Sequence, residues 1–205
     1  MKNKFLYTLL TFLIIIFNNL FAEELQINST KIQYNDNNKI TVFMGSVDAT
    51  DSKNNKLSTN YAEYDKIEKT LETRGLTEII TSQGYNIKGT NIIFDNKNKV
   101  ISSDKKTQVI DKDGNKISLE MFNYFTEKSI FFSKGKVEVL DINQNKYSFS
   151  EIYIDELKKK MVGSNVKAFL NSKDILINES NEPRFFANTV SVSNKQSIFN
   201  KGVFT

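Results

Sequence analysis

A pattern returns every thirty residues along most of this chain. Ile32-Gln33-Tyr34-Asn35 is followed by Ala62-Glu63-Tyr64-Asp65, Ile92-Ile93-Phe94-Asp95, Phe122-Asn123-Tyr124-Phe125 and Ile152-Tyr153-Ile154-Asp155, with a degenerate further copy at Val190-Ser191-Val192-Ser193. The aromatic or apolar column at 34, 64, 94, 124 and 154 has no gap. Gly45, Gly75 and Gly135 form a second column, and Leu57, Ile87, Ile117 and Tyr147 a third, each of these last four preceded by a polar, turn-like segment. Repeats of this length are supersecondary units that bury their apolar faces only against their neighbours.

Within each unit the period is two, which predicts strands. Leu71, Thr77 and Ile79 share one face, as do Ile101, Thr107 and Val109, and then Phe131, Val137 and Val139. Asp48, Glu78, Gln108 and Glu138 fall on the other face. A sheet covered on one side gives this alternation. The parity then breaks. Leu57 and Thr59 share a face, yet Ala62 and Tyr64 lie on the opposite parity, and the later copies repeat the change. A bulge or corner near 60–61, 90–91, 120–121 and 150–151 turns both sets inward, so stacked units make a folded trough instead of a flat sheet. Residues 151–162 have some helical composition, but the repeat register makes them strand, turn and strand.

Units of the form apolar-x-Tyr-Asp, turn, Leu, Gly resemble the OstA-like repeat of lipopolysaccharide-transport proteins, over residues 27–205. That family includes a periplasmic bridge protein, its inner-membrane partner and the N-terminal domain of an outer-membrane translocon. The resemblance implies an all-β fold: a V-shaped, twisted antiparallel β-jelly roll (a β-taco) of about five to six such repeats. It also implies a non-catalytic conduit whose interior holds lipopolysaccharide acyl chains. Such a domain would stack on other OstA-like domains of the transport bridge by edge-to-edge strand addition. The interior candidates for lining a lipid path are Tyr34, Tyr64, Leu71, Ile79, Phe94, Ile101, Val109, Tyr124, Phe131, Val139 and Ile154. The segments 181–188 and 200–205 resemble the end of the translocon's N-terminal domain, which favours that member over the bridge protein and predicts a C-terminal truncation before an outer-membrane barrel. An alternative of another class is a secreted parallel β-solenoid with a structural, adhesive or carbohydrate-binding role.

The N-terminus predicts export. Lys2 and Lys4 precede the apolar run Phe5 to Phe17, and Leu20-Phe21-Ala22 ends in a small residue before Glu23-Glu24. This is the pattern of a signal peptide over residues 1–22, cleaved after Ala22, with a β-domain over 23–205 in the periplasm, associated with the outer membrane. Its removal takes two lysines and no acid, lowering the formal net charge from +4 to +2. No basic run is interleaved with aromatics, so no nucleic-acid partner is expected.

The chain has no cysteine and no histidine. That excludes disulfides and the Ser-His-Asp and Cys-His nucleophile systems, and removes the usual zinc, copper and iron ligands. No catalytic residue, metal or cofactor is expected. Asp65, Asp95 and Asp155 are read as turn formers, because an aspartate bonds its own backbone. Asp111-Lys112-Asp113-Gly114-Asn115 echoes a calcium loop, but its glycine is early and Phe122 stands where the bidentate glutamate belongs, so it reads as a hairpin turn. Lys158, Lys159, Lys160 and Lys167 are read as a solvated turn and its surroundings. The first strand (25–34) and the last (190–204) are expected to be exposed edges, open to strand addition.

Overall fold

Two kinds of turn, each recurring at thirty-residue spacing, set the architecture. The computed structural model describes residues 25–35, 39–171, 184–193 and 196–204. The signal-peptide expectation over 1–22, and residues 181–183 of the 181–188 segment, lie outside these residues. At one end, four-residue turns occupy 66–69, 96–99, 126–129 and 156–159. Their last residues, Lys69, Lys99, Ser129 and Lys159, have φ between 50° and 57°. Asp65, Asp95 and Asp155 enter three of them, and each carboxylate accepts backbone N–H bonds from the turn, as Asp65 does from Ile67 and Glu68. At the other end lie five-residue turns at 51–55, 81–85, 111–115 and 141–145. Asp51, Asp111 and Asp141 each hold the backbone N–H of the asparagine four residues on at 2.8–2.9 Å. The carboxylates therefore do turn chemistry. Consecutive turns are also tied to each other. The Asn55 side-chain oxygen accepts from Ser82 N, Asn115's from Ile142 N, and Asn145's from Asn171 N.

Between the turns the chain runs in extended passes. In chain order the strands are β1 (Gln26–Asn28), β2 (Lys31–Asn35), β3 (Ile40–Thr50), β4 (Lys56–Asp65), β5 (Thr70–Thr73), β6 (Leu76–Ile80), β7 (Asn86–Thr90), β8 (Ile93–Asp95) and β9 (Val100–Ser103). They continue as β10 (Thr107–Ile110), β11 (Lys116–Leu119), β12 (Phe122–Phe125), β13 (Ile130–Leu140), β14 (Lys146–Asp155), β15 (Lys160–Phe169), β16 (Arg184–Val192), β17 (Ser197–Asn200) and β18 (Val203–Phe204). Among the described residues there is no helix, and residues 151–162 are strand, turn and strand as the register requires. Each pass pairs antiparallel with the passes before and after it. The fold is thus an antiparallel meander, and the parallel coils of a solenoid do not occur among the described residues.

Every pass changes direction near its middle. β5 and β6 are separated by Arg74 and Gly75, β7 and β8 by Asn91 and Ile92, and β11 and β12 by Glu120 and Met121. In β3 and β13 the strand continues, but the register slips: 45–46 stand opposite Asn60, and 135–136 opposite Ser150. Two residues against one is a β-bulge, and its first residue is a glycine with positive φ in both cases, Gly45 (+70°) and Gly135 (+97°). At Gly135 a Cβ would also press on the Glu120 side chain. The breaks at 91–92 and 120–121 lie where the parity break in the sequence placed them, whereas at 60–61 and 150–151 β4 and β14 run on and the extra residues lie on the strands opposite.

The corners divide the meander into two half-sheets. One contains β2, β5, β8, β9, β12 and β17, the other β1, β6, β7, β10, β11 and β18, while the remaining strands run through both. Their inward faces share one hydrophobic core, in which Leu71 and Phe94 of the first half pack with Ile79, Ile87 and Val109 of the second. This is the V-shaped β-jelly-roll arrangement. Each such side chain contributes about 1.5–3 kcal/mol by leaving water. Hydroxyls satisfy backbone groups that the corners release. Thr73 Oγ1 donates to Ile92 O and accepts from Ile92 N, Ser103 Oγ donates to Thr90 O, and Ser133 Oγ donates to Met121 O at 2.6 Å.

Candidate functional site

Residues opposite one another on neighbouring strands share a face. One such row crosses the first half-sheet: Tyr34, Thr41, Tyr64, Leu71, Phe94, Ile101, Tyr124, Phe131, Ile154, Met161 and Val192. The facing row of the second half-sheet runs Ala49, Leu57, Ile79, Ile87, Val109, Ile117, Val139, Tyr147, Ala168 and Phe185. Through the middle of the molecule these rows meet in the buried core. Leu71, Ile79, Phe94, Ile101, Val109 and Tyr124 are at most 1% exposed, and Phe131 is buried beside them. Tyr64, Val139 and Ile154 are partly buried against the same core. Tyr34 stands apart, on the edge strand β2, 58% exposed with the Lys66 ammonium 5.1 Å from its ring centre.

Towards the C-terminal edge the interior opens. A small residue replaces larger ones: in the row of the second half-sheet, Ala168 follows Ile79, Val109 and Val139 as the residue of alternate passes. The result is a cavity of about 650 Å³, lined mainly by apolar side chains from β13 to β18. Phe149, Met161, Phe185, Val190 and Phe199 are among its apolar wall, and Asp113, Asn115, Asp141 and Asn143, with Ser197, are polar members of its lining. Its size suits a ligand, since such pockets usually measure about 300–1,000 Å³. Of the eleven interior candidates only Val139 lines it. Tyr147, from the third column, and Val190 and Val192, from the degenerate last copy of the repeat, are further parts of the wall that the periodicity reaches. Phe149, Phe185 and Phe199 fall outside the columns.

A second feature spans the opening of the V. Tyr124 and Glu156 lie at the free end of the first half-sheet, and Tyr85 and Lys112 lie in the turns at the free end of the second. The Tyr124 hydroxyl donates to Glu156 Oε2 at 3.3 Å, while Glu156 Oε1 is buried with no bonding partner among the described residues. Burial pushes the Glu156 carboxyl up to about 7, with the Tyr124 bond and the Lys112 charge only partly offsetting it. Burial, reinforced by the Glu156 charge, also raises both phenols, Tyr85 and Tyr124. The ordinary value for glutamate is 4.5, so between there and 7 the folded state holds a proton that the unfolded chain gives up. Stability from this group is complete below the lower value, declines as pH rises, and is lowest above the upper one. Urea midpoints should therefore fall between pH 5 and pH 8, and Glu156→Gln should flatten that fall. An unchanged slope in the variant would place the dependence elsewhere.

No family model matches the chain. No curated protein matches it either. Among solved structures it is similar to LptH of Pseudomonas aeruginosa, described as the LptA-homologous periplasmic component of a lipopolysaccharide transport device. The two are 16% identical, the match covers 65% of this chain and 76% of that one, and the TM-score is 0.27.

Proposed function

We propose that this chain is a non-catalytic periplasmic conduit that holds lipopolysaccharide acyl chains and passes them towards the outer membrane. The observation that carries the proposal is the continuity of the interior. The rows that close on each other in the middle of the V separate at its C-terminal edge into an apolar cavity ready to take chains. Burial of an acyl chain there is favoured by about 25 cal/mol per Å² of apolar surface. The ligand class comes from the repeat, whose resemblance to the OstA-like family covers residues 27–205, and the compartment from the export pattern of residues 1–22. Both outer strands of the meander suit end-to-end stacking on like domains. β2 presents Ile32 and Tyr34, and β17 and β18 present Ile198, Phe199, Val203 and Phe204, all exposed on strands paired on one side only among the described residues. Unpaired strand edges of this kind accept a partner strand.

Photocrosslinking tests the path. A photoreactive side chain at Phe149 or Met161 should capture lipopolysaccharide in highest yield, with lower yields at Tyr64, Phe94 and Tyr124, where the interior must part to admit a chain. Glu78 and Glu138, on the outer face, serve as controls. Capture from the outer-face positions alone would sink the proposal.

A further inference from the structure

The rim of the cavity has a charge of its own. Its polar members are two carboxylates, Asp113 and Asp141, with Asn115, Asn143 and Ser197, and no lysine or arginine of the described residues lines the cavity. The neighbouring cations are turned elsewhere. Lys116 and Lys146 stand opposite Ile110, Leu140 and Phe169 in a row on the outer face of the second half-sheet. Arg184 ends that row, its guanidinium 5.7 Å from the Phe169 ring centre. Lys112 leans towards the preceding turn, where it lies against Gly84 and acts on Glu156.

The two aspartates differ in what they have left to offer. Asp141 is occupied, accepting from Asn145 N, Asn145 Nδ2 and the Tyr147 hydroxyl. The polar contact found for Asp113 is made by its backbone N–H, which donates to Asp111, so its exposed carboxylate has its acceptor capacity free among the described residues. An apolar cavity with an unfilled carboxylate at its mouth, and a second beside it, is complementary to a donor-rich cation and opposes an anion.

We propose that the cavity takes the chain of an amphiphile whose headgroup carries a protonated amine at the point where it leaves the interior, and discriminates against a bare phosphate there. The inference rests on the cavity being the lipid path and specifies its ligand. It runs against the chain's formal net charge of +4, which by itself would favour anions. Non-specific attraction therefore cannot produce the expected result.

Displacement of the neutral fluorophore N-phenyl-1-naphthylamine from the full chain tests it. Dodecylammonium, dodecyl maltoside and dodecyl phosphate, each below its micelle concentration, share one chain length and differ in the headgroup. Two unit charges near the rim, at solvent-exposed distances, lead to an expected preference of about ten-fold for the ammonium over the phosphate, with the maltoside between. Asp113→Asn should shrink the gap to about three-fold, and Asp113→Lys should reverse it. A phosphate that competes as well as the ammonium, or a gap that Asp113 substitutions leave unchanged, overturns the headgroup assignment while the cavity remains the chain site. Failure of all three amphiphiles, the uncharged one included, to displace the probe overturns the conduit reading itself.

Discussion

Phe94→Ala is expected to cost about 3–5 kcal/mol, whereas Tyr34→Ala, in the same column of the repeat, should cost no more than about 1 kcal/mol. Phe94 is 1% exposed and sits directly between Leu71 and Ile101 in the closed part of the V. Its neighbours are fixed by strand pairing on both sides, so the space left by the ring cannot collapse, and the loss falls in the upper range for large-to-small changes. Tyr34 has one strand beside it, is mostly exposed, and loses mainly its contact with the Lys66 ammonium. For a chain of this size the Phe94 loss corresponds to a fall in Tm on the order of 10 °C. Urea unfolding with linear extrapolation measures both. Equal costs at the two positions would mean that the edge of the sheet is as enclosed as its middle, which the burial pattern opposes.

That contrast shows how far the sequence reaches. A thirty-residue repeat is two antiparallel passes, so the column at 34, 64, 94, 124 and 154 marks every second strand of one lateral row, and 71, 101 and 131 supply strands between. Periodicity identifies such a row because every central unit faces the same environment. The corners near 91 and 120 were legible for the same reason, while at 60 and 150 the extra residues sit on the partner strand, which a parity count along one strand does not separate. The turn aspartates were legible because their partners are local.

Position within the stack is what periodicity does not carry. Tyr34 has the residue type of an interior position and the neighbours of an edge. Glu156 occupies the place of Lys66, Asn96 and Thr126 in earlier copies, a set with no common chemistry, and only the approach of the opposite turns reveals that it is half-buried. Three hydroxyls that stitch the corners, Thr73, Ser103 and Ser133, are thirty residues apart and could have been found from the sequence. The cavity arises where the row of Ile79, Val109 and Val139 shrinks to Ala168, in the copies where the repeat degenerates. A site made by departure from a pattern is invisible to a search for the pattern.

Ala168→Trp separates the cavity's role in binding from its role in the fold. Ala168 lies between Tyr147 and Phe185 in its row, and its methyl group faces the open space. An indole there fills much of the volume that a chain would use. Inserting bulk into a packed core usually costs about 1–3 kcal/mol, because side chains are forced from their rotamers. Here the ring enters space already present and gains apolar contacts, so stability should stay within about 1 kcal/mol of the wild type. Probe and lipopolysaccharide binding should fall at least ten-fold. Ala62→Trp provides the converse. Ala62 is 0% exposed between Phe43 and Thr73, in the closed part of the V, where the same substitution has no room and should prevent folding or lower Tm steeply. If Ala168→Trp folds and still binds at wild-type affinity, the ligand does not enter between the half-sheets. If it fails as completely as Ala62→Trp, the C-terminal edge is as tightly filled as the middle. The conduit requires the remaining result: the larger side chain accepted by the fold at the cost of the ligand.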